Sequence, residues 1–195
     1  TNLNFNACPE KIINSYAHIF SFSNCGLLVD SAQGFNAGDS VLIIQMKGAV
    51  IDSSNTNQFG TINNYNNAGN YELNAIQSIA GNKIYLKHKL LRSYDFANGE
   101  VQIVSIPAYN NLIVDTTLTC KKWDGNKGGV LIFYAQILTL NNDINVSEKG
   151  FHGGASQAIL NFSGNYACGS EEYFYPDMSN NGNRNGEGIT TLSQN

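Results

Sequence analysis

Gly128-Gly-Val-Leu-Ile-Phe-Tyr-Ala135, Gln136-Ile-Leu-Thr-Leu140, Asn141-Asn-Asp-Ile-Asn-Val146 and Ser147-Glu-Lys-Gly-Phe-His-Gly-Gly154 run on without a break, and their rhythm decides the fold class. Val130 to Ala135, Ile137 to Leu140 and Asp143 to Val146 read as short strands, divided by Asn141-Asn142 and bounded by Gly pairs. Short strands joined by Gly and Asn corners are how one coil of a β-solenoid is written. The Gly-Gly pairs fit sharp corners where a side chain would clash. Val130, Ile132, Ile137, Leu138, Leu140, Ile144 and Val146 are too many apolar residues for an isolated hairpin. Burying one such side chain contributes roughly 1.5–3 kcal/mol, so a coil with an open face forfeits several times that. The segment 128–154 is therefore expected to lean on a neighbouring domain at one end and to need a further coil at the other, with more solenoid following residue 195 in the parent protein.

Upstream, strand signals dominate and helical periodicity is nearly absent. Gly26 to Asp30 is a short apolar run, and Ser40-Val-Leu-Ile-Ile-Gln-Met-Lys47 reads as a strand covered on both faces. Residues 52–70 crowd Asn, Ser and Gly and read as a long exposed loop. Tyr71 to Ile79 alternates as a strand, Gly81-Asn82 turns it, and Lys83 to Lys87 returns with Ile84 and Leu86 on one face. Glu100 to Pro107 is a further strand, closed or edged by its proline, and Asn111 to Val114 adds more β content. The predicted fold class is all-β: a small antiparallel barrel or sandwich over residues 1–115, then the start of a Gly-rich, truncated β-solenoid-like domain over 116–195.

Bulk composition narrows the function. The 195 residues are 42% hydrophobic, which is globular, and 13% charged, about half the usual share. A net charge of −4 with eleven scattered basic residues argues against nucleic-acid binding, which needs clustered Lys and Arg. No apolar run reaches the ~18 residues of a membrane span, and the absence of an apolar N-terminal region implies that any signal peptide has been removed. Cys8, Cys25, Cys120 and Cys168 form no CxxC pair. An even count in such a chain fits an oxidising compartment, with four buried thiols as the plainer alternative. Of three possible connectivities, Cys8–Cys25 and Cys120–Cys168 are preferred, because each closes a local segment.

No catalytic motif is present. There is no Gly-x-Ser-x-Gly elbow, His-Glu-x-x-His, Walker loop or dinucleotide fingerprint, and His18, His88 and His152 are scattered. Asp124, Glu148, Glu171, Glu172 and Asp177 would be the carboxylates of a glycosidase, but an Asx turn at Asp124-Gly125 and solvated side chains explain them as well. Asn181-x-Asn183-x-Asn185-Gly186 imitates an EF-hand opening yet lacks early charge and has Leu192 where the bidentate Glu belongs. No cofactor or metal is implied. Trp123, Tyr166, Tyr173, Phe174 and Tyr175 suit a sugar-stacking platform, with Trp123, Tyr173 and Tyr175 as the candidate ligand contacts. Capping of the β core is the competing role.

Several segments, taken in order, carry a resemblance. They are Gly34-Phe-Asn-Ala-Gly-Asp-Ser-Val-Leu-Ile-Ile-Gln-Met-Lys-Gly48, Tyr71-Glu-Leu73, Ile79-Ala-Gly-Asn-Lys-Ile-Tyr-Leu86, Val101-Gln-Ile-Val104, Tyr109-Asn-Asn-Leu112, Trp123-Asp-Gly125, Gly128-Gly-Val-Leu131 and Lys149-Gly-Phe-His-Gly-Gly154. This set resembles the N-terminal region of giant secreted surface proteins and adhesins exported by the type IX system of gliding bacteria. It spans roughly residues 27–154 and continues weakly to Gly186-Glu-Gly-Ile189. His152 stands where Arg is expected, a departure placed at a surface turn. The resemblance implies a non-catalytic, secreted, cell-surface segment serving attachment or gliding motility. Its partners would be a surface or polysaccharide ligand and the secretion and outer-membrane attachment machinery, with no membrane insertion. It also implies O-glycosylation at Asp-Ser/Thr motifs, namely Ser31, Ser40 and Thr116, with Ser40 the weakest because it opens a buried strand. The alternative function is a carbohydrate-binding or processing module of a secreted enzyme.

Overall fold

The computed structural model describes residues 10–24, 26–54, 56–153 and 187–190. The fold is all-β, as the strand-length apolar runs and Gly/Asn turns require. Six strands close an antiparallel barrel: β2 (Tyr16–Ser23), β3 (Gly26–Val29), β4 (Ser40–Lys47), β7 (Tyr71–Ala80), β8 (Lys83–Leu86) and β9 (Glu100–Ile106), in the order β2-β3-β8-β7-β4-β9. Alternation fills the interior. Ala17 and Ile19, Leu27 and Val29, Val41 and Ile43, Ile84 and Leu86, and Val101 and Ile103 all point inward with Ile76, and Phe35 plugs the core from the β3–β4 link.

Gln45 seals one end of the barrel. Fully buried, it donates Nε2 to the carbonyls of Lys47 and Asn66 and accepts from Asp95 N on Oε1. One side chain therefore fixes the 65–70 turn and the 95–99 turn to the barrel. The Asn-rich stretch 52–70 is not wholly a loop: β5 (Val50–Ile51) and β6 (Ile62–Asn64) pair antiparallel, and Asp52, Ser54 and Thr56 tie the turn between them by local hydrogen bonds.

Beyond the barrel, pairing becomes parallel. β10 (Ala108–Val114) pairs with β12 (Tyr134–Leu140), and β1 (Glu10–Ile12) pairs with β11 (Thr117–Thr119). The barrel closes with β9 at Ile106, and the strands after Pro107, β10, β11 and β12, pair in this parallel stack. Val130 to Phe133, expected as part of a strand, is irregular, because barrel side chains hold its backbone, as described next.

Candidate functional site

The stack repeats every 26 residues. Ala108 lies opposite Tyr134, Leu112 opposite Leu138 and Val114 opposite Leu140, and an isolated parallel bridge puts Leu118 opposite Ile144. Asn141 Nδ2 donates to Asp115 Oδ1 at 2.7 Å across the same spacing. Trp123 N donates to Lys149 O at 2.8 Å and keeps the register to the next corner. Two layers of a coil are thus superposed in register, which is how a solenoid buries side chains that a single turn cannot.

The first layer is clamped to the barrel. Gln102, on β9 and fully buried, accepts from Gly128 N at 2.8 Å and donates to Gly128 O at 3.0 Å. Asn14 Nδ2 donates to Ile132 O, Tyr16 Oη donates to Val130 O, and Lys127 pairs with Asp30. Glycine is required at residue 128: its φ is +105°, and a Cβ there would lie 2.5 Å from the Lys122 carbonyl oxygen. The expected sharp corner is therefore present at Gly128-Gly129. Asp124 forms the Asx turn read from the sequence, its Oδ1 accepting from Asn126 N and Lys127 N.

The second layer presents an open apolar face. Leu112, Val114 and Leu118 of the first layer are 8%, 4% and 2% exposed, whereas their counterparts Leu138, Leu140 and Ile144 are 42%, 57% and 39% exposed. Tyr134 and Val146 add to that surface, while Ile137 is exposed on the opposite side of β12.

Where the two layers meet the barrel, Glu187 gathers four contacts. Its carboxylate accepts from Lys47 Nζ at 2.8 Å, Trp123 Nε1 at 3.0 Å and His152 N at 3.2 Å, with His152 Nδ1 at 2.9 Å. Burial opposes its ionisation, but the hydrogen bonds from Lys47, Trp123 and His152 and the Lys47 charge outweigh it and hold the carboxyl down at about 2. Ile189 O accepts from Gly48 N and Ala49 N, so the same short segment is fixed to the barrel rim. Sequence reading missed Glu187, whose partner Lys47 is 140 residues away. His152 is more than a surface turn residue, since it binds that carboxylate.

Other expected site residues fall as follows. Trp123 is 1% exposed and meets Phe151 edge-on, so its ring is part of the core and not a platform for a sugar. Tyr166, Tyr173, Phe174 and Tyr175 lie outside the described residues, as do Cys8, Cys25, Cys168, Glu171, Glu172, Asp177 and the stretch from Asn181 to Gly186. Cys120 is a buried thiol, and burial pushes its ionisation up. Ser31 and Thr116 are half-buried, with Ser31 Oγ accepting from Gln33 N. Ser40, expected to be the least accessible of the three, is exposed at the start of β4, because its side chain lies on the opposite face from Val41. Asp124 pairs with Lys121, Glu148 is exposed, and no three His, Cys, Asp or Glu among the described residues are placed to hold a metal. No helix among them is long and apolar enough to cross a membrane.

No protein-family model matches the chain, and no curated protein matches it at a significant level. Two solved structures are similar. One is the Gp54 tailspike of Acinetobacter baumannii bacteriophage AP22 in complex with A. baumannii capsular saccharide, at 21% identity, with 64% of this chain and 19% of that chain covered and a TM-score of 0.31. The other is the tailspike protein gp49 from Pseudomonas phage LKA1, at 13% identity, covering 70% of this chain and 23% of that one, with a TM-score of 0.30. The chain therefore spans about a fifth of the length of the structures it matches. Likeness at this level carries no functional argument.

Proposed function

We propose that this chain is a non-catalytic base module of a secreted cell-surface adhesin, in which the barrel terminates one end of a β-solenoid and the coil continues away from it. The observation that carries the reading is the 26-residue ladder with one clamped face and one open face. A solenoid needs a cap that satisfies its first layer, and Gln102, Asn14 and Tyr16 do this for Gly128, Ile132 and Val130. The resemblance to type IX-exported surface proteins supplies the cellular setting: attachment or gliding, export by that machinery, and glycans on Ser31, Ser40 or Thr116. Antibodies raised against the purified chain should label intact cells of the source bacterium and reduce their attachment to a surface. Labelling only after permeabilisation would sink the proposal.

A carbohydrate-binding role is the second reading, and one surface favours it. Tyr71 and Leu73 on β7 stand exposed, with the Arg92 guanidinium 6.0 Å from the Tyr71 ring centre and Leu91 N donating to Glu72 between them. An exposed ring next to an apolar side chain and a guanidinium suits stacking on uncharged sugars. Binding on a glycan array that disappears in Tyr71→Ala would establish it, and an array without hits would remove it.

A further inference from the structure

We infer that the outward face of β7, together with the arm that follows β8, binds an acidic polysaccharide in which uronate residues alternate with uncharged sugars. The inference rests on the carbohydrate reading of Tyr71 and Leu73 and adds to it the charge class of the ligand.

The chain from Lys83 to Arg92 reads Lys-Ile-Tyr-Leu-Lys-His-Lys-Leu-Leu-Arg, with four cations and no carboxylate, in a protein of net charge −4. Four other cations, Lys47, Lys121, Lys127 and Lys149, each lie against a carboxylate. Among the described residues, Lys83, Lys87, Lys89 and Arg92 form no ion pair. Lys87, Lys89 and Arg92 are exposed. Glu72, on β7, is half-buried and accepts from Leu91 N at 2.8 Å, so its carboxylate serves the backbone of the arm.

These cations are held in place. β8 ends at Leu86, yet the chain from Lys87 to Ser93 stays alongside β7. Lys87 N donates to Ala75 O at 2.8 Å. His88 N donates to Asn74 Oδ1 at 3.2 Å, and Asn74 Nδ2 donates back to His88 O at 3.0 Å. Asn70 Nδ2 donates to Ser93 O at 3.0 Å. Alternation sets the faces: Ile84 and Leu86 are buried in the barrel, so Lys83, Tyr85 and Lys87 fall on its outer side. An open depression of about 370 Å³ lies beside them, lined by Gly38, Ala75, Ile76, Gln77 and Lys87, within the ~300–1,000 Å³ range of small-ligand sites. The Lys83 ammonium lies 5.4 Å from the Tyr85 ring centre, and the Arg92 guanidinium 6.0 Å from that of Tyr71. Each end of the strip thus joins a flat ring to a cation.

That pairing selects the ligand. Tyr71 and Leu73 offer apolar surface to the C–H faces of sugar rings, and the cations offer charge-assisted hydrogen bonds to carboxylates. A polymer that alternates uncharged and uronate residues presents both along one strand, whereas a neutral polymer gains nothing from the four cations. Nucleic acid is a poorer occupant. It carries a phosphate on every nucleotide and draws its affinity from neutralising many of them, which four cations on a chain of net charge −4 do not achieve.

Binding of the intact 195-residue chain to immobilised hyaluronan and unsulfated chondroitin tests the inference. In both polymers glucuronate alternates with an uncharged N-acetylated sugar, and each is compared with its carboxyl-reduced, uncharged form and with poly(dT). The acidic forms should bind roughly tenfold or more tighter than the reduced forms, and should weaken as salt rises. Lys87→Gln combined with Lys89→Gln should bring the two forms to similar affinity, and Tyr71→Ala should weaken both, with the near-UV signal of Trp123 unchanged in each variant. Equal binding of acidic and reduced forms by the parent would overturn the inference and leave the carbohydrate reading standing. Acidic binding indifferent to the lysine changes, or tighter binding to poly(dT), would also overturn it. If no form binds, the inference falls, and the glycan array with Tyr71→Ala decides the carbohydrate reading by itself.

Discussion

Ile103 in the barrel and Leu140 in the stack are both strand residues of similar size, and they sit in opposite situations. Ile103 is enclosed by a sheet that closes on itself, with neighbours from β2 and β4 on either side. Among the described residues Leu140 is paired on one side only, to Val114, and its side chain is exposed. Closure lets the barrel satisfy its own edges and core within about 90 residues, from Tyr16 to Ile106. The stack takes its stability from a neighbour, the barrel, through Gln102 on β9. A closed unit therefore ends a solenoid well, and an open one extends it.

The largest expected effect breaks that comparison from the closed side. Ile103→Ala empties the barrel core, which costs about 2–5 kcal/mol for a large-to-small change at a fully buried site. Because the stack leans on β9, it should be lost together with the barrel in one urea transition. Ile137→Ala, on the outward face of β12, should shift the midpoint by no more than about 0.5 kcal/mol. Equal losses from the two changes would mean that the stack, not the barrel, carries the fold.

Much of the barrel was legible because its signals are local. Val41 to Ile44 is an unbroken apolar run in a strand that lies between two partner strands, and the Gly81-Asn82 turn joins β7 to β8 as its residue types dictate. β2 escaped because Ala17 and Ile19 alternate with His18 and Phe20, so the outward face is not polar enough to expose the period. The coil was legible in kind and not in register. Across the 26-residue spacing, Leu112/Leu138 and Val114/Leu140 keep their apolar character, but Asn111/Ile137 and Ile113/Thr139 do not, so no repeat stands out by eye. Val130 to Phe133 has strand composition, yet Tyr16 and Asn14 claim its carbonyls before a neighbouring strand can. Glu187 carried no local signal at all, since its meaning depends on Lys47, Trp123 and His152 arriving from three separate places.

A smaller effect should separate the two regions. Gln102→Leu removes both hydrogen bonds to Gly128 and leaves a buried N–H and a buried carbonyl without partners, a cost of about 1–3 kcal/mol for each group that stays dry. Most of that penalty falls on the junction. The expected result is an early, partial transition of the stack followed by an unaltered barrel transition, resolved by near-UV signals from Trp123, the only tryptophan. Gly128→Ala should reproduce the early transition by a different route, through its +105° φ and the Lys122 carbonyl in the path of the new Cβ. A single cooperative melt in both variants would show that barrel and stack are one unit and that the clamp adds nothing separable.

The smallest effect concerns how Glu187 and Ile189 are held against the barrel rim, and it depends on pH. Glu187 has a folded-state pKa of about 2 against an ordinary 4.5, with hydrogen bonds from Lys47, Trp123 and His152 to the ionised form overcoming the opposing cost of burial. A depressed carboxyl pKa contributes stability that is fully present above about 4.5 and is lost as pH falls through about 2, because the folded state resists protons that the unfolded state binds. Glu187→Gln keeps the shape and removes the charge. At pH 7 it should melt a few degrees below the parent, with the loss confined to the stack and to the contact of Ile189 with Gly48 and Ala49. On acidification the two melting curves should converge between pH 4.5 and 2, where the parent carboxylate takes up its proton. A difference that stays constant across that window would mean that Glu187 acts through packing alone, and its charge-based anchoring to the barrel rim would be wrong.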